Sequence, residues 1–282
     1  MQIFYGKVAL MEYLSSIKTT NSSIGFVPTM GALHKGHQSL MLQSVKENDI
    51  NVVSIFVNPT QFNNPEDLEK YPRNLEADIL KIQEISPDII LFAPTVEDMY
   101  EGKTVSQSFD FDGLENKMEG QFRPGHFDGV GTIVKRLFEI VNPTKAYFGE
   151  KDFQQVQIVK KMVEKNHLPV TIVVCPIYRE INNLAMSSRN ERLTLQEREE
   201  AGIIHKILIE AKSKFISNSA QKTSEWVKNE FEKNKNFTLE YFEIADEETL
   251  STCNRKYKNK KYRAFIAVFV NNVRLIDTIS LN

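Results

Sequence analysis

Short apolar runs alternate with amphipathic stretches over roughly the first 175 residues. Ile24–Val27, Val52–Val57, Ile89–Ala93, Ala146–Phe148 and Val170–Val174 are compact and rich in β-branched or aromatic residues, as buried parallel strands are. Between them the apolar period changes to that of a helix. Ile133, Leu137 and Val141, with Val134 and Phe138, form one stripe, and Val156, Val159 and Val163, with Met162, form another. This alternation predicts a doubly wound, Rossmann-like α/β domain over residues 1–177, with ligands at the carboxyl ends of its strands. The pattern changes near Tyr178. Thr194-Leu-Gln-Glu197 is a capping-box signature that predicts the start of a long helix carrying Ile204, Leu208, Ala211 and Phe215 on one face. A helical stretch around Trp226–Phe231 follows. Thr238–Ala245, Arg263–Val270 and Val273–Ile279 then read as strands, with Asn271-Asn272 as a hairpin turn. Residues 178–282 thus predict a smaller α+β domain with antiparallel strands; the competing reading is one continuous fold.

Composition narrows the function. Lys and Arg total 35 against 37 Asp and Glu, a net charge of −2, so broad electrostatic capture of nucleic acid is excluded. With 41% hydrophobic residues and 18 Phe the chain is no disordered scaffold. Its length lets it bury about three quarters of its unfolded surface. Only Cys175 and Cys253 occur, so neither a disulfide framework nor a Cys-rich zinc site is supported. The first residues, Met1 to Lys7, do not read as a signal peptide, and no apolar run has membrane-spanning length. The expected setting is the cytoplasm, with no membrane and no nucleic-acid partner.

Phosphate chemistry is written at three places. Pro28-Thr-Met-Gly-Ala-Leu-His-Lys-Gly-His37 follows the first strand and opens a helix. A helix start offers free N–H groups and a favourable dipole to an anion. His34 and His37, three residues apart, could both donate to charge growing on a leaving pyrophosphate. A zinc pair would need a third His or Cys nearby, and none is evident. The histidines could also simply cap and pack. Gly149-Glu-Lys-Asp152 lies at another strand-to-helix turn, where Lys151 would place a compact charge; Asp152 reads equally as an N-cap. Met186-Ser-Ser-Arg189 offers two hydroxyls and a guanidinium on a segment without apolar period. After the second strand, Asn58-Pro-Thr-Gln-Phe62 places amides suited to an uncharged, hydroxylated substrate, and Gln155 adds another. Arg123-Pro-Gly-His126, with Gly129 and Gly131, could be turn chemistry or part of the same edge.

Taken in order, PTMGALHKGH, VSIFVNPTQF, EDLEKYPRN, RPGHFDGV, FGEKDFQQ and AMSSRN resemble the pantoate–β-alanine ligase family of the His-x-Gly-His nucleotidyltransferase-like superfamily. The likeness implies an AMP-forming carbon–nitrogen ligase acting through pantoyl adenylate, with ATP, pantoate and β-alanine as substrates, Mg²⁺ accompanying ATP, and a homodimer. By motif position it implies an ATP site of Met30, Gly31, Ala32, Leu33, His34, Lys35, Gly36, His37, Gly149, Glu150, Lys151, Asp152, Tyr178, Met186, Ser187, Ser188 and Arg189. His37, His34, Lys151 and Arg189 would act in catalysis, with His37 the family's assigned proton donor. Gln61 and Gln155 would bind pantoate, Asp78 would be a Mg²⁺ ligand, and the C-terminal domain would form a lid. Asn182-Asn183-Leu184 departs from the family's usual Asp-Gly-Leu. Asn also tolerates a left-handed turn, so the geometry is expected to survive. Two other functions remain open: a nucleotidyltransferase acting on another small substrate, which should carry an extra basic site, and a nucleotide sensor without chemistry.

Overall fold

The computed structural model describes all 282 residues, and their contacts group them into two units. Met1–Gly149 with Gln155–Cys175 form the first, and Glu150–Gln154 with Pro176–Asn282 form the second. The predicted boundary after residue 177 follows the chain, whereas the contacts assign the five residues from Glu150 to the second unit.

The first unit runs β1 (Ile3–Phe4), α1 (Lys7–Ile17), β2 (Ile24–Thr29), α2 (Lys35–Glu47), β3 (Ile50–Ile55), α3 (Pro65–Glu69), α4 (Leu75–Gln83), β4 (Ile90–Phe92), α5 (Val96–Tyr100), α6 (Met118–Phe122), α7 (His126–Val141), β5 (Lys145–Gly149), α8 (Phe153–Lys165) and β6 (Thr171–Cys175). All six strands are parallel, in the order β1-β4-β3-β2-β5-β6. Side chains alternate across this sheet. Val27, Val53, Leu91 and Tyr147 share a core with Leu40 and Met41 of α2 and Ile82 of α4. Phe26 and Phe148 turn the other way and meet Phe138 of α7 edge-on. Each such side chain, once fully buried, contributes about 1.5–3 kcal/mol, which explains why both-face burial selects unbroken apolar runs.

The strand order reverses between β2 and β5, where doubly wound sheets bind ligands. Pro28 bears on this point. The β2–β3 register runs through Thr29, but the β2–β5 register stops at Phe26. Proline has no N–H with which to continue that ladder, so the two carboxyl ends are free to diverge.

The second unit contains α9 (Leu195–Glu200), α10 (Ile203–Ser217), α11 (Ala220–Glu232) and an antiparallel sheet, β7 (Phe237–Asp246), β8 (Tyr262–Val270) and β9 (Val273–Ser280). Ala264, Ile266, Val268 and Val270 of β8 pack with Ile204, Leu208, Ala211 and Phe215 of α10. Asn271 has φ +50 in the β8–β9 turn, as a hairpin asparagine should. One expectation fails. The Thr194 capping box is present, with Thr194 accepting from the Glu197 amide and Glu197 from the Thr194 amide, but it opens only the six-residue α9. The interruption falls at Ala201-Gly202, which keep right-handed helical dihedrals, and a Cβ on Gly202 would stand 2.4 Å from the Asn182 carbonyl oxygen, so only glycine admits this close approach. The chain there is shaped by a long-range contact that the helical period does not register.

Candidate active site

His34 is the N-cap of α2. Its Nδ1 accepts from the Gly36 amide at 3.1 Å, and the His37 Nδ1 accepts from the His34 amide at 3.3 Å. Two imidazoles therefore form a reciprocal capping box, a role usually filled by Ser or Thr with Glu. The arrangement assigns the tautomer. A ring nitrogen that accepts carries no proton, so each neutral ring holds its proton on Nε2, away from the backbone. The rings lie with centroids 4.0 Å apart and planes 30° from parallel, and so offer two Nε2–H donors side by side. Capping thus occupies Nδ1 of each ring, and the donor of each neutral ring is Nε2.

The loop before α2 is held from α4. Gly31 and Ala32 have φ of +82 and +48, and the left-handed region costs a residue with a Cβ roughly 1–2 kcal/mol. Asp78 offsets that cost: its two carboxylate oxygens accept from the Ala32 amide at 2.9 Å and the Leu33 amide at 2.7 Å. Lys81, one turn on, donates to the Leu33 carbonyl. Burial pushes the Asp78 carboxyl above its ordinary value, opposed by the two amides and by Lys81. Asp78 is 2% exposed, and each of its carboxylate oxygens accepts one backbone amide.

Gln61 follows β3 in a one-turn 3₁₀ helix, Pro59–Gln61, and is buried. Its Nε2 donates to the Met30 sulfur at 2.8 Å, which joins it to the histidine loop. His126 Nδ1 lies 2.8 Å from the Gln61 carbonyl oxygen and Arg123 donates to the same oxygen at 3.2 Å. The Arg123-Pro-Gly-His126 segment is accordingly a brace for Gln61. Gly149 ends β5, and Gln155 is half-buried in the first turn of α8.

The remaining candidates belong to the second unit. Lys151 lies in the 3₁₀ turn Glu150–Asp152, with Nζ 3.3 Å from Asp152 Oδ1. Arg263, on β8 and 5% exposed in its side chain, fixes this turn. It pairs with Glu150 at 2.7 Å and Glu247 at 3.1 Å, and its guanidinium stands 4.2 Å from the Phe153 ring centroid. Met186, Ser187, Ser188 and Arg189 are held from the flanks. The Met186 amide donates to the Tyr178 carbonyl, Arg179 makes a two-pronged pair with Asp277 at 2.7 and 3.0 Å, and Glu180 does the same with Arg198 at 2.7 and 2.9 Å. Buried Asn190 ties Glu180 to the Ala185 carbonyl. Asn183 has φ +70, so the asparagine occupies the left-handed position expected of it. Asn182 accepts from the Leu184 amide and donates to the carbonyls of Arg198 and Glu199. The sequence motifs gave no sign of Arg263 or of the Glu180–Arg198 pair. No local period marks partners so far apart in the chain.

A strand-to-helix histidine pair on a doubly wound parallel sheet, with a separate α+β unit, defines a nucleotide-handling α/β enzyme of the His-x-Gly-His class. The family model for pantoate–β-alanine ligase matches residues 2–280. A pantothenate synthetase from Flavobacterium psychrophilum is 64% identical over 281 residues, covering all of both chains. The crystal structure of the Thermus thermophilus pantothenate synthetase superposes with a TM-score of 0.90 at 36% identity, covering 100% of this chain and 99% of the other. The Francisella tularensis pantoate–β-alanine ligase, solved with a β,γ-ATP ligand and β-alanine, gives 0.82 at 36% identity, with 100% and 98% covered. The chain belongs to the pantoate–β-alanine ligase family and is, by that membership, a carbon–nitrogen ligase that forms pantothenate.

Proposed function

We propose that the chain joins pantoate to β-alanine through a pantoyl adenylate. In the first step a pantoate carboxylate oxygen bonds to the α-phosphorus of ATP, and the bond from that phosphorus to the bridging oxygen breaks, releasing pyrophosphate. In the second, the β-alanine nitrogen bonds to the activated carbonyl carbon. The acyl–oxygen bond breaks, AMP leaves, and the amine gives its proton to solvent.

The observation that carries this reading is the paired capping of His34 and His37 by backbone amides. Pyrophosphate is a weak base and needs stabilisation of charge more than a full proton. Two neutral Nε2–H donors that are already oriented supply this without reorganisation. Lys151 and Arg189 add fixed positive charge for the phosphates, Lys151 serving the α-phosphate. Backbone groups from Met30 to Gly36, Gly149 to Asp152, and Tyr178 with Met186 to Ser188 cradle the nucleotide. Gln61 and Gln155 bind pantoate's carboxylate and hydroxyls. Mg²⁺ would enter as a companion of the triphosphate, with Asp78 as its candidate carboxylate. No helix is long and apolar enough to cross a membrane, and the family resemblance carries the further expectation of a cytoplasmic homodimer.

Exchange of labelled pyrophosphate into ATP tests the first step in isolation. Exchange should require pantoate and proceed without β-alanine. No exchange with pantoate, or equal exchange in its absence, would overturn the adenylate route and favour a nucleotide sensor or a different acceptor.

A further inference from the structure

Gln61 is useful to a carboxylate only if it presents N–H. An amide side chain can present either end, and reversing it would set its oxygen against the substrate's negative charge. The groups around it settle which end is offered. Tyr100, at the end of α5, is 3% exposed, and its hydroxyl donates to Asn58 Oδ1 at 2.5 Å. That oxygen is thereby the acceptor end of Asn58, which is itself 1% exposed. The two hydrogens of Asn58 Nδ2 are then both committed, to Gln61 Oε1 at 3.1 Å and to the Gly129 carbonyl at 3.0 Å. Close approach of α7 makes the second bond reachable: a Cβ on Gly129 would stand 2.5 Å from the Thr60 carbonyl oxygen. With Oε1 occupied, Gln61 keeps Nε2 for donation. One N–H goes to the Met30 sulfur, a weak acceptor, and one is left for substrate.

Thr60 Oγ1 also donates to Asn58 Oδ1, at 3.2 Å, so Tyr100 shares this oxygen with a weaker, longer donor. Arg136 covers its ring at 4.6 Å from the centroid, and Thr60 Oγ1 lies 2.8 Å from its hydroxyl. Burial also pushes the phenol above its ordinary value, so it keeps its proton across working pH.

We infer that Tyr100 is a positioning residue for the acid substrate: through Asn58 it fixes the Gln61 amide with N–H outward, and so selects a carboxylate or hydroxyl oxygen. The inference rests on the assignment of Gln61 to pantoate, and its test separates the two. Steady-state kinetics on Tyr100→Phe, Gln61→Ala and the double variant form a cycle. Tyr100→Phe should raise KM for pantoate about tenfold, the scale of one hydrogen bond inside a buried network, while KM for ATP stays within about twofold. In the Gln61→Ala background the same change should add nothing to KM for pantoate. Asn58→Asp removes the donors to Gln61 and should raise KM for pantoate further, again leaving ATP. If Gln61→Ala leaves KM for pantoate unchanged, the assignment of Gln61 itself fails. If Gln61→Ala raises it but Tyr100→Phe does not, or if the two effects are additive, or if KM for ATP rises in parallel, the role of Tyr100 is overturned.

Discussion

The two units hold their candidate site residues by different physical means. In the first, neutral groups are oriented by backbone: amides cap both imidazoles, Asp78 grips a left-handed turn, and an amide chain fixes Gln61. In the second, charged groups sit beside ion pairs that are largely withdrawn from water: Arg263 with Glu150 and Glu247, Arg179 with Asp277, Arg198 with Glu180. The difference follows from what each group must do. A hydrogen-bond donor works only in one direction, and backbone supplies direction. A lysine or arginine acts through charge at a place, and a fixed ionic scaffold supplies the place. Damage to these supports should therefore look different: losing an oriented donor in the first unit costs chemistry, whereas breaking a buried ion pair in the second costs stability.

The largest effect is expected at Lys151. Lys151→Ala should lower kcat/KM by about 10²–10³, equivalent to roughly 2–4 kcal/mol of transition-state stabilisation, with an unchanged melting temperature. Near-normal turnover would show that this lysine is an exposed partner of Asp152 and no more. Next comes its scaffold. Arg263→Met strips a buried cation from Glu150 and Glu247 and should destabilise the fold by about 3 kcal/mol by denaturant titration. Adding Glu150→Gln removes one orphaned charge and should restore about 1 kcal/mol. A double variant no more stable than the single would break the ionic account of the second unit.

The first unit should behave in the opposite sense. His34→Asn keeps a good N-cap, so stability should stay within about 0.5 kcal/mol, while loss of the Nε2–H donor should cut kcat/KM at least about tenfold. His34→Ala removes cap and donor together and should cost about 1 kcal/mol of stability besides. Equal stability loss in both variants would contradict the division of labour between the two ring nitrogens.

The smallest effect is a pH dependence. His205, in α10, has a buried Nδ1 that makes no hydrogen bond and lies 3.8 Å from Asp277 Oδ2 in the Arg179–Asp277 pair. Burial first, and the Arg179 guanidinium second, hold its imidazole below the ordinary histidine value, with Asp277 opposing. The folded state then binds the proton less tightly than the unfolded one. Its contribution is therefore present above about pH 6.5 and lost as pH falls below it. His205→Gln should flatten the fall in melting temperature between about pH 7 and pH 5.5. An unchanged slope would remove His205 from the account.

How much of this was legible in sequence depends on the range of the forces involved. Strands such as Val52–Val57 announce themselves because both-face burial writes an unbroken apolar run, and the observed Ile50–Ile55 overlaps it with a small shift. The histidine motif was legible as the start of a helix after a strand, being local, and so was the turn at Asn271. The tautomers were not, since they depend on which amides the rings meet. β1 is two residues long at the sheet edge and has no period to detect. Glu150 and Arg263 lie 113 positions apart, and neither residue's neighbours mark it as buried. The grip of Asp78 on the Ala32 and Leu33 amides was not legible either, since it joins residues 46 and 45 positions apart.

In the proposed first step pantoate's own carboxylate oxygen bonds to the α-phosphorus. Turnover of pantoate labelled with ¹⁸O in both carboxylate positions tests it most directly, by mass spectrometry of the products. One label should appear in the phosphoryl group of AMP and the other in the amide carbonyl of pantothenate. Unlabelled AMP would contradict the adenylate route, whatever the rate of product formation.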